Sequence, residues 1–215
     1  MWHEPLFIQT NNPNQGNPML KYLLLLPLLI LGSLAHAAVV TGDEAPTFIL
    51  TSASGEQINL ADHSDKVVIL EWVNYDCPFV KNHYNTGTMQ ALQKVAVDNG
   101  MVWLSICSSA SGKQGNFTGQ ELSDRIAKEK SAATAYLIDE DGTVGKAYGA
   151  KTTPHMFIIK DGKIVYSGGI DSISSTKAED IEKATPYVKE AIEAIVADGD
   201  IPNSDTKAYG CGVKY

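Results

Sequence analysis

Cys77, Cys107 and Cys211 are the residues of this 215-residue chain best suited to covalent chemistry. They form no C-x-x-C or C-x-x-H pair, so they supply neither a zinc ligand set nor a disulfide framework, and any chemistry rests on one thiol or one pair. Cys77 precedes Pro78 where an apolar run hands over to residues of helical spacing. Proline fits a first helical turn because its missing N–H had no partner there. The thiol would then face unpaired N–H groups and the positive end of a helix dipole, the setting that lowers a thiol pKa. A favourable dipole is worth up to ~2 kcal/mol, about 1.5 pKa units. A carboxylate such as Asp76, about 5 Å away in water-like dielectric, costs only ~0.8 kcal/mol. From these residues alone, an inert cysteine at a packed corner is an equally good reading.

Other candidate groups are weaker. Glu71 lies inside the apolar run Lys66 to Val73, KVVILEWV, where a lone buried carboxylate is costly or shifts its pKa upward; an ion pair with a lysine at a sheet edge is the plainer account. His63, His83 and His155 lack ligand spacing and read as solvated or packing residues, although His155 is placed to line a site beside Pro154. Asp139 to Gly142 lacks the later ligands of a calcium loop and reads as a turn. No metal and no cofactor is expected.

These residues must be positioned by strands and helices that the patterning predicts. Short extended segments at Ala45 to Leu50 and Gln57 to Leu60 lead to KVVILEWV, a central buried strand. Pro78 opens a helix to Asn99, broken near Asn85-Thr86-Gly87; Met101 to Ile106 is a second buried strand. A helix starts at Thr118, with Glu121 completing a capping box. Ala135 to Ile138 is a short strand and Val144 to Tyr148 about one helical turn. His155 to Lys160 and Lys163 to Ser167 flank Asp161-Gly162 as a hairpin. Glu179 to Ala197 reads as one amphipathic helix, with Ile181, Val188, Ile192 and Ile195 on one face, and Asp198 to Tyr215 as a tail or strap. The pattern is an α/β sandwich whose functional loops gather at the carboxyl ends of parallel strands, where Cys77 and Cys107 fall.

Composition narrows the function classes. The chain is 44% apolar and 20% charged, an ordinary globular mixture for one core. With 17 basic against 25 acidic residues it carries −8, which argues against nucleic-acid partners. Lys21, the run Leu23 to Leu31 and Ala35-His36-Ala37 read as a secretory signal peptide, with either Met1 or Met19 as the start. The run is too short for a spanning helix and contains Pro27, so no membrane insertion persists after cleavage. The expected organisation is an extension and signal over residues 1–37 and a single domain over 38–215, periplasmic or secreted, where disulfides persist.

The strings Val68 to Val80 (VILEWVNYDCPFV), Tyr148-Gly149-Ala150-Lys151, Thr153-Pro154-His155-Met156-Phe157 and Tyr209-Gly210-Cys211-Gly212-Val213-Lys214-Tyr215 resemble the thioredoxin-like superfamily. More narrowly, they resemble the secreted redoxins of the alkyl hydroperoxide reductase/thiol-specific antioxidant family. The resemblance runs from about Ala45 to the end. It implies a thioredoxin-like sandwich, a mixed central sheet flanked by helices with an N-terminal β extension. It also implies Cys77 as nucleophile followed by Pro78, a cis peptide at Thr153-Pro154 beside it, and a proton-relaying Glu71. Two departures matter. Val80 stands where the second cysteine of C-x-x-C would be, which excludes dithiol exchange within the helix turn. Leu70 and Asn74 replace the proline and hydroxyl residue of the peroxiredoxin pattern, which weakens the case for peroxidase chemistry, although Asn74 retains a hydrogen-bond donor.

A lone thiolate that attacks a peroxide or a disulfide needs a second thiol to finish. Cys211, in a glycine-flanked tail, can adapt to the geometry a bridge demands, as C-terminal resolving cysteines do in two-cysteine peroxiredoxins; Cys107, at a neighbouring strand end, is the alternative. The expectation is an exported thiol-disulfide or peroxide oxidoreductase, whose partners are the oxidant and a thiol reductant protein. The competing reading is a non-catalytic binding module in which a Cys77–Cys211 disulfide merely pins the tail.

Overall fold

The computed structural model describes residues 1–6 and 39–215; the leader read over residues 1–37 lies, apart from residues 1–6, outside the described residues. In chain order the domain comprises β1 (Ile49–Ser52), β2 (Gln57–Asn59), a 3-10 turn (Leu60–His63), β3 (Val68–Trp72), α1 (Pro78–Asn85), α2 (Thr88–Asp98) and β4 (Val102–Cys107). It continues with α3 (Gly119–Glu129), β5 (Ala135–Ile138), α4 (Thr143–Tyr148), β6 (Thr152–Thr153), β7 (His155–Lys160), β8 (Lys163–Gly168), α5 (Ala178–Ile181), α6 (Tyr187–Val196) and β9 (Cys211–Gly212).

Seven strands form one mixed sheet in the order β2-β1-β5-β4-β3-β7-β8, parallel across β3/β4 and β4/β5 and antiparallel elsewhere. This is the α/β sandwich with an N-terminal β extension that the patterning and the resemblance imply. The unbroken apolar run puts β3 at the centre, with all five of its residues buried. Period-two alternation divides it between two cores. Val68, Leu70 and Trp72 pack with Leu104, Phe157 and α4 residues Val144 and Tyr148, whereas Ile69 and Val73 pack with Val80, Tyr84, Met89, Leu92 and Val188 from α1, α2 and α6. Each fully buried side chain of this kind contributes roughly 1.5–3 kcal/mol. No helix among the described residues is long and apolar enough to cross a membrane.

Two local expectations are corrected. Thr118 is the N-cap of α3, but its side chain makes no capping bond, so the capping box with Glu121 is not formed. The helix expected over Glu179 to Ala197 is two pieces, because Pro186 offers no N–H and disfavours helical backbone at Thr185; it becomes the N-cap of α6. The break between α1 and α2 does fall at Gly87, at φ +77. The last stretch is a strap: Ser167 N–H donates to Ser204 O at 2.9 Å, Thr206 N–H donates to Ser167 O at 3.0 Å, and β9 pairs antiparallel with β6.

Asp139, expected only as the start of a turn, is a buried fastener. Its carboxylate accepts from Ser108 Oγ at 2.5 Å, Val144 N at 3.1 Å and Gly145 N at 2.8 Å, and Ser108 Oγ in turn accepts from Trp72 Nε1 at 2.9 Å. It joins the ends of β3, β4 and β5 to the first turn of α4. Asp139→Ala strands three donors in a buried place and should lower unfolding free energy by about 2–4 kcal/mol, read from urea denaturation; a loss of under about 0.5 kcal/mol, the range of an ordinary surface substitution, would show that water replaces the carboxylate at little cost.

Candidate active site

Cys77 is the N-cap of α1 with Pro78 in the first turn, and its side chain is wholly buried. Its extended backbone, φ −69 and ψ 125, turns the chain from the strand end into the helix while Cys77 N–H donates to Asn74 O at 2.9 Å. The thiol donates to the Thr153 carbonyl oxygen at 3.0 Å, and the Thr153-Pro154 peptide is cis. Thr153 stands opposite Cys211 in the β6/β9 pair, so the strap lays its own cysteine against the nucleophile candidate. Gly210 permits that approach: it adopts φ +135, and a Cβ there would run into the Thr153 carbonyl oxygen.

The two thiols are electrically unequal. Burial pushes Cys77 up, but hydrogen bonds favouring its thiolate from Cys211, Thr153 and the backbone of Val80 and Cys211 outweigh it and hold Cys77 below an ordinary thiol. The Thr153 hydroxyl has no other partner and is free to donate to a thiolate there. Cys211 is pushed up to about 11, by burial first and then by its pairing with Cys77. Cys77 is therefore the more acidic of the two thiols and the readier to become a thiolate. All three cysteines are free thiols. Cys107 is engaged elsewhere, donating to the Gly115 carbonyl oxygen at 3.3 Å beneath the loop that follows β4.

The remaining expected residues have taken other work. Glu71 pairs across the sheet with Ser105 and forms no ion pair among the described residues; its carboxylate accepts from Ser105 Oγ at 2.8 Å, Trp103 Nε1 at 2.9 Å, Tyr84 Oη at 3.0 Å and Gln93 Nε2 at 3.2 Å. Complete burial raises its pKa, and these four donors only partly offset that. No hydrogen bond joins it to Cys77. Asn74 has both ends occupied, donating to Gln114 O at 3.2 Å and accepting from Asp76 N at 2.9 Å, and it fills the space a Cβ on Gly115 would need. The donor that the sequence offered to a peroxide thus holds the neighbouring loop instead. Asp76, expected to oppose the thiolate, is paired with Arg125 at 3.0 Å and Lys81 at 3.5 Å. His155 is buried against Phe157, accepts from Lys151 N at 3.3 Å and is lowered to about 4 by burial and Lys151. Among the described residues no group of three or more metal-ligating side chains occurs.

A sequence model described as the AhpC/TSA family matches residues 41–167. Thiol-disulfide oxidoreductase ResA from Bacillus thuringiensis subsp. konkukian is 26% identical over 153 residues, covering 67% of this chain and 79% of that protein; the Bacillus cereus protein of the same name matches equally. Among solved structures, a hypothetical protein from Sinorhizobium meliloti 1021 superimposes with TM-score 0.67 at 24% identity, over 83% of this chain and 96% of the other. An uncharacterized conserved protein from Geobacillus kaustophilus gives 0.69 at 23%, over 81% and 92%. The thioredoxin domain of a thiol-disulfide oxidoreductase from Bacteroides vulgatus gives 0.50 at 19%, over 68% and 98%. These superpositions show a thioredoxin-like fold. The family match stops before the strap that carries Cys211.

Because Glu71 binds its proton more tightly folded than unfolded, its contribution to stability is complete below the ordinary value of 4.5 and is lost as pH rises through the raised folded value. Urea midpoints should therefore fall as pH rises above the ordinary value of 4.5 for the wild type relative to Glu71→Gln, which has no such titration; parallel pH profiles would contradict the raised value.

Proposed function

We propose a function from a plain fact, that the chain belongs to the AhpC/TSA family of the thioredoxin-like superfamily: it is an exported thiol oxidoreductase in which Cys77 is the nucleophile and Cys211 the resolving cysteine. The observation that supports this reading best is the thiol pair itself, with Cys211 opposite Thr153, whose carbonyl takes the Cys77 thiol, and with Cys77 the more acidic of the two. The Cys77 thiolate attacks one sulfur of a substrate protein disulfide and forms a mixed disulfide. The other substrate sulfur leaves as a thiolate and takes up a proton. Cys211 loses its proton and attacks the Cys77 sulfur, which expels the second substrate thiol. The substrate gains two electrons and the chain is left with a Cys77–Cys211 disulfide. A thiol reductant protein reverses the oxidation by exchange.

A peroxide can enter the same scheme: the Cys77 thiolate attacks one peroxide oxygen, the O–O bond breaks and the other oxygen leaves as water or an alcohol after taking a proton, and Cys211 then attacks the Cys77 sulfenic acid and displaces water to form the same disulfide. The occupied donor of Asn74 and the absence of a hydroxyl residue at that position favour disulfide exchange as the principal reaction. The extracytoplasmic setting rests on Lys21, Leu23 to Leu31 and Ala35-His36-Ala37. ResA, to which the chain is similar, is named a thiol-disulfide oxidoreductase, which supports protein disulfides as the substrate class.

Mass spectrometry of protein treated with a small disulfide tests the roles. Wild type should yield a Cys77–Cys211 bridge that dithiothreitol opens in the native state, Cys211→Ser should accumulate a mixed disulfide on Cys77, and Cys77→Ser should lose turnover. A bridge that opens only on unfolding would assign Cys77–Cys211 as a fastening of the strap. Separately, Gly210→Ala should slow bridge formation at least ~10-fold in stopped-flow, since a Cβ there strikes the Thr153 carbonyl; an unchanged rate would remove the need for close docking.

A further inference from the structure

Cys77 is wholly buried, yet the reaction above requires a substrate sulfur to reach it. The strap packs at this place, with Cys211 opposite Thr153, whose carbonyl takes the Cys77 thiol, and with Tyr209 in the same buried cluster as Cys77, so the contacts that hold the strap down bear both on how Cys211 is presented and on access to Cys77. Beyond Thr206 most of these contacts are peripheral. β9 pairs with β6 over two residues, Val213 N–H donates to Lys151 O at 3.1 Å, Ala110 N–H donates to Lys214 O at 2.8 Å, and the partly exposed Tyr215 hydroxyl donates to Ala150 O at 2.7 Å. Within residues 207–215 the single buried residue is Tyr209, two places before Cys211.

Tyr209 is held from two sides. Its hydroxyl donates to Asp171 Oδ1 at 2.6 Å, on the segment after β8, and lies 3.1 Å from Nε2 of His83, on α1. The ring sits edge-on to Phe79, two residues after Cys77, with centroids 5.8 Å apart. Because the one hydroxyl proton goes to Asp171, Nε2 of His83 must be the donor toward the tyrosine oxygen. That tautomer leaves Nδ1 as the lone-pair nitrogen, and Nδ1 is the His83 atom that has no partner. His83 Nε2 is also 3.8 Å from Asp171 Oδ2, and Ile173 N–H donates to Asp171 Oδ1 at 3.0 Å, so the acceptor is itself fixed in place. All three side chains are at least nine-tenths buried. A buried hydrogen bond to a carboxylate is among the strong kind, unlike the half-wet contacts elsewhere on the strap.

We propose that Tyr209, clamped by Asp171 and His83, is the positioning residue that latches the C-terminal strap over the site, setting both the register of Cys211 against Cys77 and the access of outside reagents to Cys77. The latch joins the helix that begins at Cys77 to the strap that carries Cys211, so releasing it separates the two thiols and uncovers the nucleophile in one movement. Thr206 stays bound at β8, where its backbone N–H donates to Ser167 O at 3.0 Å and its hydroxyl oxygen accepts from Gly169 N–H at 3.0 Å, which puts the hinge at Lys207-Ala208. The assignment rests on the Cys77–Cys211 reading for its catalytic meaning, but strap release can be measured without turnover.

The chain contains its own control, since Cys107 is also buried but lies under a different loop. In reduced full-length protein carrying Cys211→Ser, iodoacetamide labelling of Cys77 and Cys107 is followed by mass spectrometry. Tyr209→Phe keeps the ring and removes the hydroxyl; it should speed Cys77 labelling about tenfold or more while Cys107 labelling stays unchanged. Asp171→Asn, which retains an acceptor but not the charge, should give a smaller acceleration of the same selectivity. Tyr215→Phe, at the other end of the strap, should stay within about twofold. Equal acceleration at Cys77 and Cys107 would mean general loosening, and no acceleration, or an equal effect of Tyr215→Phe, would mean the strap is held elsewhere; each overturns the latch. Loss of labelling selectivity leaves the Cys77 mixed-disulfide test above untouched, so the two readings fail separately.

Discussion

The contact on which the site depends is the two-residue ladder between Thr152–Thr153 and Cys211–Gly212. One carbonyl, that of Thr153, takes the Cys77 thiol, and directly across the ladder the strap delivers Cys211. Two residues of pairing are too little to hold an extended segment by themselves, because ordering each residue costs about 1–2 kcal/mol of backbone entropy. The ladder therefore relies on support from outside it, from Thr206 on β8 and from the buried Tyr209 hydroxyl on Asp171. The thiol pair is a product of that support, not of local sequence.

Three buried carboxylates mark how the domain is assembled around the ladder. Glu71 gathers donors from α1, α2 and β4; Asp139 gathers the ends of three central strands; Asp171 gathers the strap and α1. Each accepts at least two hydrogen bonds from neighbouring groups, the condition under which a buried acid is tolerated. Their surroundings raise Glu71 and Asp139 above the usual carboxylate range, chiefly by burial. None touches the Cys77 sulfur. The groups that hold the Cys77 thiol below its ordinary value are thiol, hydroxyl and backbone donors, with no buried acid among the leading causes.

Much of the frame was legible in the residues. The apolar run KVVILEWV, the helix start at Cys77-Pro78 and the Asp161-Gly162 hairpin each carry a strong local signal, and all three appear where the patterning puts them. Misreadings came where a local signal competed with a remote one. The helical period of Glu179 to Ala197 was broken by Pro186, Thr118 capped its helix without the expected box, and Asn74 turned its donor to Gln114 because a loop forty residues away packs on it.

The sequence by itself determined the class of fold and the place of the nucleophile candidate, since strand period, proline position and the absence of a second nearby cysteine are properties of neighbouring residues. It left open whether Cys107 or Cys211 faces Cys77, whether Asp76 bears an unpaired charge, and what Tyr209, His83 and Asp171 do. Those were decided by tertiary structure, because each depends on groups brought together from widely separated stretches of chain: Thr153 with Cys211, Arg125 with Asp76, and Tyr209 with two residues from different elements. A thiol's neighbours along the chain establish that it can be a nucleophile; only the packing of a distant strap establishes what it meets.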